Sequence, residues 1–158
     1  MSQSGTAAYV TAGNDRFCKP FLFDGGYFQC KVSGADTDGR LCIYETVRKE
    51  RGGPRLHYHQ SQDEWFFVRQ GEFLFQIGDD KFRLRAGDSI FAPRKVPHAF
   101  ANVSDDAALI LVYQPAGTME RFFADGSQLL LTNPSPHEWQ ALCQLHGIEN
   151  VGPKLNSD

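Results

Sequence analysis

Closely spaced cysteines are missing from this sequence. Across the 158 residues, Cys18, Cys30, Cys42 and Cys143 occur singly and form no C-x-x-C pair. A zinc knuckle needs ligands at short spacing and is therefore excluded. A chain of this length can fold without disulfide bonds, so we expect four reduced and mostly buried thiols.

The chain also lacks an excess of basic residues. Sixteen Lys and Arg stand against nineteen Asp and Glu, which gives a formal net charge of -3. Such a chain has no general field that would attract nucleic acid or an anionic membrane. The sequence also contains no helix-turn-helix pattern. We therefore expect neither nucleic acid nor membrane as a partner.

No apolar run approaches the length needed to span a membrane, and residues 1–10 lack both a basic segment and a continuous apolar stretch. We therefore expect a cytoplasmic protein. Hydrophobic residues make up 41% of the chain and aromatic residues 13%, which is enough for one buried core. No internal repeat is visible, so a single domain is expected.

Three zones follow one another along the chain. Residues 1–38 mix turn clusters with short apolar pieces and are interpreted as an N-terminal arm with one or two strands. Residues 39–116 are expected to form a β-barrel. Residues 117–158 are expected to form a short C-terminal helical tail that packs on the barrel.

The middle zone consists of short β-type runs separated by turn residues. Many short strands at even spacing, with no helical pattern between them, predict an all-β sandwich or closed jelly roll. The predicted strands are Leu41 to Val47, Leu56 to His59, Glu64 to Arg69, Phe73 to Ile77, Lys81 to Arg85, Ser89 to Ala92, His98 to Val103 and Ala107 to Gln114.

The last zone carries helix signals. The run Ser135–Glu138 has the form of a capping box with Pro136 at the first helical position. Gly147 is the expected end of this helix. A shorter helix is expected after Pro115-Ala116-Gly117, and it would bury two aromatic side chains against the barrel. The residues expected on the buried faces are Phe122, Phe123, Trp139, Leu142, Cys143 and His146.

Four residues of the middle zone indicate a metal site. Side chains alternate across a strand, so His57 and His59 point to one face. The next four residues are enough to turn the chain and bring Glu64 back on the neighbouring strand. His98 begins a distant strand that would face the pair across the barrel lumen. Three imidazoles and one carboxylate would then hold one divalent transition metal ion and leave positions open.

The identity of the metal is not decided by this ligand set. Iron, nickel, manganese, cobalt, zinc and copper all accept imidazole and carboxylate ligands. The remaining histidines, His137 and His146, fall in the predicted C-terminal helix and are interpreted as solvated or capping groups.

The two blocks that contain these ligands resemble the two motifs of the cupin superfamily. The first motif, G-x5-H-x-H-x3-4-E-x6-G, is matched at His57, His59, Glu64 and Gly71. The second, G-x5-P-x-G-x2-H-x3-N, is matched at Gly87, Pro93, His98 and Asn102. Two departures occur, because Gly52 and Gly53 lie closer to His57 than the pattern asks, and Lys95 replaces the internal glycine of the second motif.

The resemblance implies a double-stranded β-helix, the jelly-roll barrel of cupins. Flanking segments such as Gly53–His57 and Asp63–Val68 look like bacterial single-domain cupins grouped with quercetin dioxygenase. In a site of that kind, the carboxylate corresponding to Glu64 ligates the metal and also accepts a proton from the substrate, which would require a raised pKa.

The leading functional hypothesis is a quercetinase-like, metal-dependent dioxygenase that acts on a small enolic or phenolic molecule. One alternative is a metal-dependent isomerase or epimerase of a sugar or small metabolite, which would need cationic residues such as Arg55 and Lys95 inside the cavity. Another is a non-catalytic cupin that binds a small molecule.

Strand parity also suggests residues that contact the substrate. Phe66 and Val68 share the parity of Glu64, while Phe100 and Asn102 share that of His98, so all four are expected to line the lumen. Arg55 shares the parity of His57 and could meet an anionic group.

The opposite parity on the Glu64 strand suggests a contact between protein copies. Trp65 and Phe67 alternate with Glu64 and would lie on the outer face of their sheet. Small cupins usually pair through such faces, so the resemblance together with these two side chains predicts a homodimer.

Overall fold

The computed structural model describes residues 5–158, which form two β-sheets, two α-helices and one 3-10 helix. The 3-10 helix is Gly34–Thr37, and the α-helices are α1 (Met119–Leu130) and α2 (Pro136–Leu145). The strands are β1 (Phe21–Phe23), β2 (Gly26–Val32), β3 (Cys42–Arg48), β4 (Arg55–His59), β5 (Asp63–Gln70), β6 (Glu72–Ile77), β7 (Asp80–Arg85), β8 (Ser89–Ala92), β9 (His98–Asn102), β10 (Ala107–Gln114) and β11 (Ile148–Lys154).

The strands are arranged in two sheets that enclose one core. The first sheet has the order β1-β2-β3-β10-β5-β8, and the second has the order β11-β4-β9-β6-β7. In β3 buried and partly exposed residues alternate along the strand, as period-two patterning requires for a sheet with one face on a core. The prediction of an all-β jelly roll with a short helical tail is confirmed, and all eight predicted strands occur within a residue or two of their expected ends.

The two ends of the chain contribute more to the sheets than the sequence predicts. β1 and β2 form a hairpin that extends the first sheet beside β3. β11, which was not predicted, pairs with β4 and lies at the edge of the second sheet. The Gly152-Pro153 pair interrupts the sequence pattern expected of a strand. β11 is nevertheless extended because it pairs with β4, where Ile148 lies opposite His59.

Aromatic contacts fasten the helical tail to the barrel. The ring of Phe23 lies 5.6 Å from that of Phe122, 5.2 Å from that of Phe123 and 5.7 Å from that of Trp139. Phe122 and Phe123 are both buried, as the sequence predicts. Rings at these separations attract one another beyond the gain from burial alone, so α1 and α2 are fixed parts of the core.

The predicted caps of α2 are present. The side chain of Ser135 accepts a hydrogen bond from the backbone N–H of Glu138, whose carboxylate accepts one from the backbone N–H of Ser135. Two donors that the helix leaves free are thereby satisfied. Within residues 5–158, no helix is both long enough and apolar enough to cross a bilayer.

The loop between β3 and β4 is held against β9 by Asn102. Its Nδ2 donates to the carbonyl oxygen of Glu50 at 3.0 Å, and its backbone exchanges hydrogen bonds with Gly52. The chain approaches so closely here that a Cβ on Gly53 would lie 2.0 Å from the carbonyl oxygen of Phe100. Glycine at this position sets the start of β4 and therefore the position of the histidines that follow.

Replacing Gly53 with alanine should lower the free energy of unfolding by about 3 kcal/mol, because the new methyl group must displace the β9 backbone. Urea denaturation of the two proteins measures this difference. Gly5→Ala is the control, since a Cβ there would meet no atom within 4 Å. Equal stability of Gly53→Ala and the unaltered protein would contradict the close approach.

Candidate metal centre

His57, His59, Glu64 and His98 meet inside the barrel, but their strands are arranged differently from the prediction. His57 and His98 are directly opposite each other in the pairing of β4 with β9, so all three histidines project from the second sheet. Glu64 lies on β5, whose neighbours are β10 and β8 in the first sheet. The sequence placed Glu64 beside the histidine pair and His98 across the lumen, and the structure reverses these two positions.

The four side chains are close enough to share one ion. Nε2 of His98 lies 2.9 Å from Oε2 of Glu64, and Nε2 of His59 lies 3.3 Å from the same oxygen. One ligand atom from each residue can be chosen so that all four lie within 4.8 Å of one another. His59, Glu64 and His98 are each no more than 3% exposed, whereas His57 is half-buried towards the cavity.

Backbone carbonyls orient two of the three imidazoles. Nδ1 of His57 lies 2.6 Å from the carbonyl oxygen of Arg55, and Nδ1 of His98 lies 3.1 Å from that of Val96. A carbonyl oxygen can only accept a hydrogen bond, so Nδ1 carries the proton in both rings. Nε2 of each ring then keeps its lone pair for a ligand, as in metal sites with a fixed histidine tautomer.

His59 shows that the cluster fits a metal ion. Both of its ring nitrogens are buried, and neither forms a hydrogen bond within the part of the chain that the structure describes. A buried polar atom without a partner costs free energy. A divalent transition metal bound by one ring nitrogen of His59 and by the Glu64 carboxylate would give that nitrogen the partner it lacks. The cluster could therefore hold the metal that the sequence predicts.

The protonation states also suit a metal. Burial raises the pKa of Glu64, but the close imidazoles of His59 and His98 outweigh it, and the pKa lies well below its usual range. Burial, followed by the neighbouring His98 and His59, lowers the pKa of His57 to about 3. At neutral pH the carboxylate is charged and His57 is neutral, which are the forms that bind metals. The raised pKa that the sequence suggested for Glu64 is therefore wrong for this arrangement.

A cavity of about 360 Å³ opens over the four ligands. Its size is typical of a site for a small molecule, and most of its wall is apolar and aromatic. The tail and the N-terminal hairpin supply more of the wall than the predicted barrel does. Besides the ligands, the lining residues are Phe23, Asp24, Phe28, Pro54, Arg55, Phe66, Phe100, Tyr113, Met119, Phe122, Phe123, Leu130, Asn133, Pro134, Ser135, Pro136, Trp139, Cys143, Ile148, Asn150 and Lys154.

Three of the five residues suggested as substrate contacts lie on this wall. Phe66 and Phe100 are buried next to the ligands, and Arg55 stands exposed at the mouth. Val68 is fully buried in the core and does not reach the cavity. Asn102 is also buried, but its side chain forms hydrogen bonds to the β3–β4 loop and to Ser104 and does not line the cavity.

Tyr113 is a residue of the site that the sequence reasoning missed. It is opposite Glu64 in the pairing of β10 with β5, and its ring lies 5.7 Å from that of His59. Burial, followed by the charge of Glu64 and a hydrogen bond with it, raises the pKa of Tyr113 well above its usual value. Strand alternation could have identified Tyr113, because it lies on the same face of β10 as the core residues Leu109 and Leu111.

The sequence match to a family model agrees with this fold and site. Residues 43–113, the greater part of the barrel, match the Cupin_2 family, described as a cupin domain. The family match and the jelly-roll fold together support placing the chain in the cupin superfamily.

Among curated proteins, the chain is similar to 3-hydroxyanthranilate 3,4-dioxygenase of Xanthomonas campestris pv. campestris. The two are 34% identical over 111 residues, which cover 66% of this chain and 61% of the relative. It is also 32% identical over 56 residues to the uncharacterized protein MJ1618 of Methanocaldococcus jannaschii, covering 35% of this chain and 45% of that protein. The chain thus spans less than two thirds of the length of these relatives.

Solved structures share the fold at low sequence identity. An RmlC-like cupin from Shewanella frigidimarina superposes with a TM-score of 0.57 at 21% identity, covering 70% of this chain and 93% of that one. KdgF from Halomonas sp. superposes with a TM-score of 0.53 at 22% identity, covering 58% and 79%. Likeness at this level establishes the cupin barrel.

Replacing a ligand should abolish tight metal binding. We expect His57→Ala and His98→Ala each to weaken Co²⁺ binding by more than about tenfold, because loss of even a supporting contact in a metal site costs that much. Calorimetric titration with Co²⁺ measures the affinity. His137→Ala is the matched control, since His137 is exposed on α2. Unchanged affinity in both ligand variants would refute the site.

Proposed function

We propose that this protein is a metal-dependent dioxygenase that acts on a small, flat enolic or phenolic molecule. The observation that carries the proposal is the meeting of three histidines and one glutamate at the base of a cavity walled by aromatic rings. A bound divalent transition metal would supply a centre at which an enolic oxygen and O₂ are held together. Incorporation of both oxygen atoms with carbon–carbon cleavage needs no external reductant, because the substrate supplies the electrons.

The protein's own residues have defined tasks in this proposal. Phe66 lies 5.9 Å from both the His98 ring and the Phe100 ring, so a planar substrate would meet aromatic faces directly beside the ligands. These walls keep water from the reacting carbon and strengthen polar interactions inside the cavity. The buried hydroxyl of Tyr113 keeps its proton at neutral pH and can donate a hydrogen bond to Glu64.

In this proposal Glu64 is first a metal ligand and second a proton acceptor. A carboxylate with a lowered pKa is a good ligand and a weak base, so holding the ion comes first. In residues 5–158, the other carboxylate on the cavity wall is Asp24, which forms an ion pair with Lys154 at 3.1 Å. Glu64 is therefore the group placed to accept the proton from a substrate hydroxyl.

The relative from Xanthomonas supports a dioxygenase, since its name gives that activity, but the quercetinase-like substrate class rests on the flanking sequence resemblance. An isomerase of sugars would need cations around the substrate. Arg55 lies at the cavity mouth, Lys95 does not line the cavity, and the wall beside the ligands is aromatic. These features favour a hydrophobic substrate over a sugar. A binding protein without catalysis would share the same cavity.

The metal-loaded protein should consume O₂ with at least one of three probes, namely a flavonol, a 1,3-diketone and 3-hydroxyanthranilate. With ¹⁸O₂, both labelled atoms should appear in the product. Glu64→Gln should lower kcat by about 100-fold or more, because it removes both a charged ligand and the proton acceptor. His137→Ala should behave as the unaltered protein does. No uptake with any probe, or equal uptake by Glu64→Gln, would count against the proposal.

We further propose a homodimer formed through the outer face of the first sheet, and a cytoplasmic location. Trp65 and Phe91 are opposite each other in the pairing of β5 with β8, and they are 38% and 52% exposed. The Phe67 ring stacks on Trp65 at 5.9 Å. On the other side of β5, Val112 and Ile110 continue the apolar surface. A contiguous patch of this kind is typical of a contact between proteins.

Trp65→Glu should convert the dimer into a monomer, since a carboxylate in an apolar contact is left without a partner. Light scattering coupled to size exclusion gives the mass. Phe82→Glu is the control, because Phe82 is 41% exposed on β7 of the opposite sheet. An unaltered protein that is already monomeric, or a Trp65→Glu dimer, would disprove the interface.

A further inference from the structure

Arg48 is a buried cation at the end of the barrel away from the metal ligands. On β3, Cys42 is opposite Tyr113 near the ligands, whereas Arg48 is opposite Ala107 at the other end of the same pairing. Arg48 shares the inward parity of Cys42, Tyr44 and Thr46 and is only 3% exposed. Arginine is rarely buried to this extent unless a group of opposite charge accompanies it.

Among the described residues, no carboxylate forms a direct ion pair with the guanidinium of Arg48, although Asp24 and Glu50 lie near enough to favour its charged form. None of the ion pairs found in residues 5–158 includes it. Nη2 donates to the carbonyl oxygen of Asp24 at 2.5 Å, and the group lies over the Phe100 ring at 5.7 Å. Nε is buried without a hydrogen-bond partner. Burying a charge without a direct ion pair is costly, and Nε of Arg48 still lacks a partner for its proton.

The surrounding backbone is shaped around this side chain. A Cβ on Gly25 would lie 3.2 Å from Nη2, and one on Gly26 would lie 2.7 Å from Nη1. Two consecutive glycines thus leave space for the fork of the guanidinium under the β1–β2 turn. A side chain larger than hydrogen at either glycine would therefore press against the guanidinium of Arg48.

Arg48 lines a second cavity of about 420 Å³ that also carries Arg51 and Lys154. The acidic residues on its wall are Asp24 and Glu50, so the three cations outnumber the carboxylates. Asp24 is already paired with Lys154, and Arg51 donates to the carbonyl oxygen of Ser157. The cavity therefore presents free donors and one more cation than it has carboxylates.

We propose that this second cavity binds a small oxyanion, namely the phosphate or carboxylate group of a metabolite. The planar guanidinium of Arg48 offers paired donors that match two oxygens of such a group. Arg51 and Lys154 lie nearer the surface and add two further positive charges to the cavity wall. Asp24 and Lys154 line both cavities, so a bound anion would contact the same ion pair that borders the substrate cavity.

Calorimetric titration of the full chain with inorganic phosphate and with malonate, at constant ionic strength, tests the proposal. At least one anion should bind the unaltered protein. Arg48→Met should weaken it by about tenfold or more, as expected for loss of charged hydrogen bonds. If Arg48→Met does not fold, the double variant Arg51→Ala, Lys154→Ala carries the same expectation. Preference for phosphate or malonate identifies the group.

Two controls separate this site from other sources of anion binding. Arg83→Ala removes one exposed arginine that pairs with Glu72 on the other sheet, and it should leave the affinity unchanged. His98→Ala should also leave it unchanged, because the anion does not bind at the metal ligands. Absence of binding by the unaltered protein, full affinity in Arg48→Met, or an equal loss in either control would overturn the proposal.

Discussion

The pairing of β4 with β9 is the constraint on which the candidate site depends. It sets His57 against His98, and the two-residue period of β9 then gives His98, Phe100 and Asn102 the same inward direction. One strand face therefore holds a ligand, a wall of the cavity and the side chain that fastens the β3–β4 loop. Because that loop leads directly into β4, the hydrogen bonds of Asn102 also determine the register that brings His57 to its partner.

Local patterns were enough to predict the strands and the four residues that meet in the candidate site. Alternation, turn residues and motif spacing gave His57, His59, Glu64 and His98, and also the caps of α2. They could not say which strands become neighbours, since a hairpin-length loop between β4 and β5 suits either one sheet or a crossing to the opposite sheet. That choice depends on long-range burial, and it placed Glu64 across the lumen.

Three further features depended on tertiary contacts that no local pattern contains. β11 takes its conformation from the edge of β4 despite Gly152-Pro153. The pKa of Glu64 is lowered by two imidazoles within 3.3 Å, whereas a proton acceptor in a quercetinase-like site would require a raised pKa. That Arg48 has no direct ion pair is visible only when the neighbouring carboxylates have been located in the fold. Lys95 stands where the second motif has a glycine, and its φ of +66° lies in the left-handed region that favours glycine.

The division of the cavity wall between barrel and tail has a consequence for relatives of this protein. The four candidate ligands lie within the segment that matches the family, residues 43–113, whereas Phe122, Trp139, Cys143 and Ile148 on the wall lie beyond it. The family segment thus contributes the four candidate ligands and the wall residues Phe66 and Phe100, and the stretch after it contributes a further part of the wall. A substitution or shortening of that C-terminal stretch would reshape the cavity without altering any of the four motif residues, so identity at the motifs alone says little about the shape of the cavity above them.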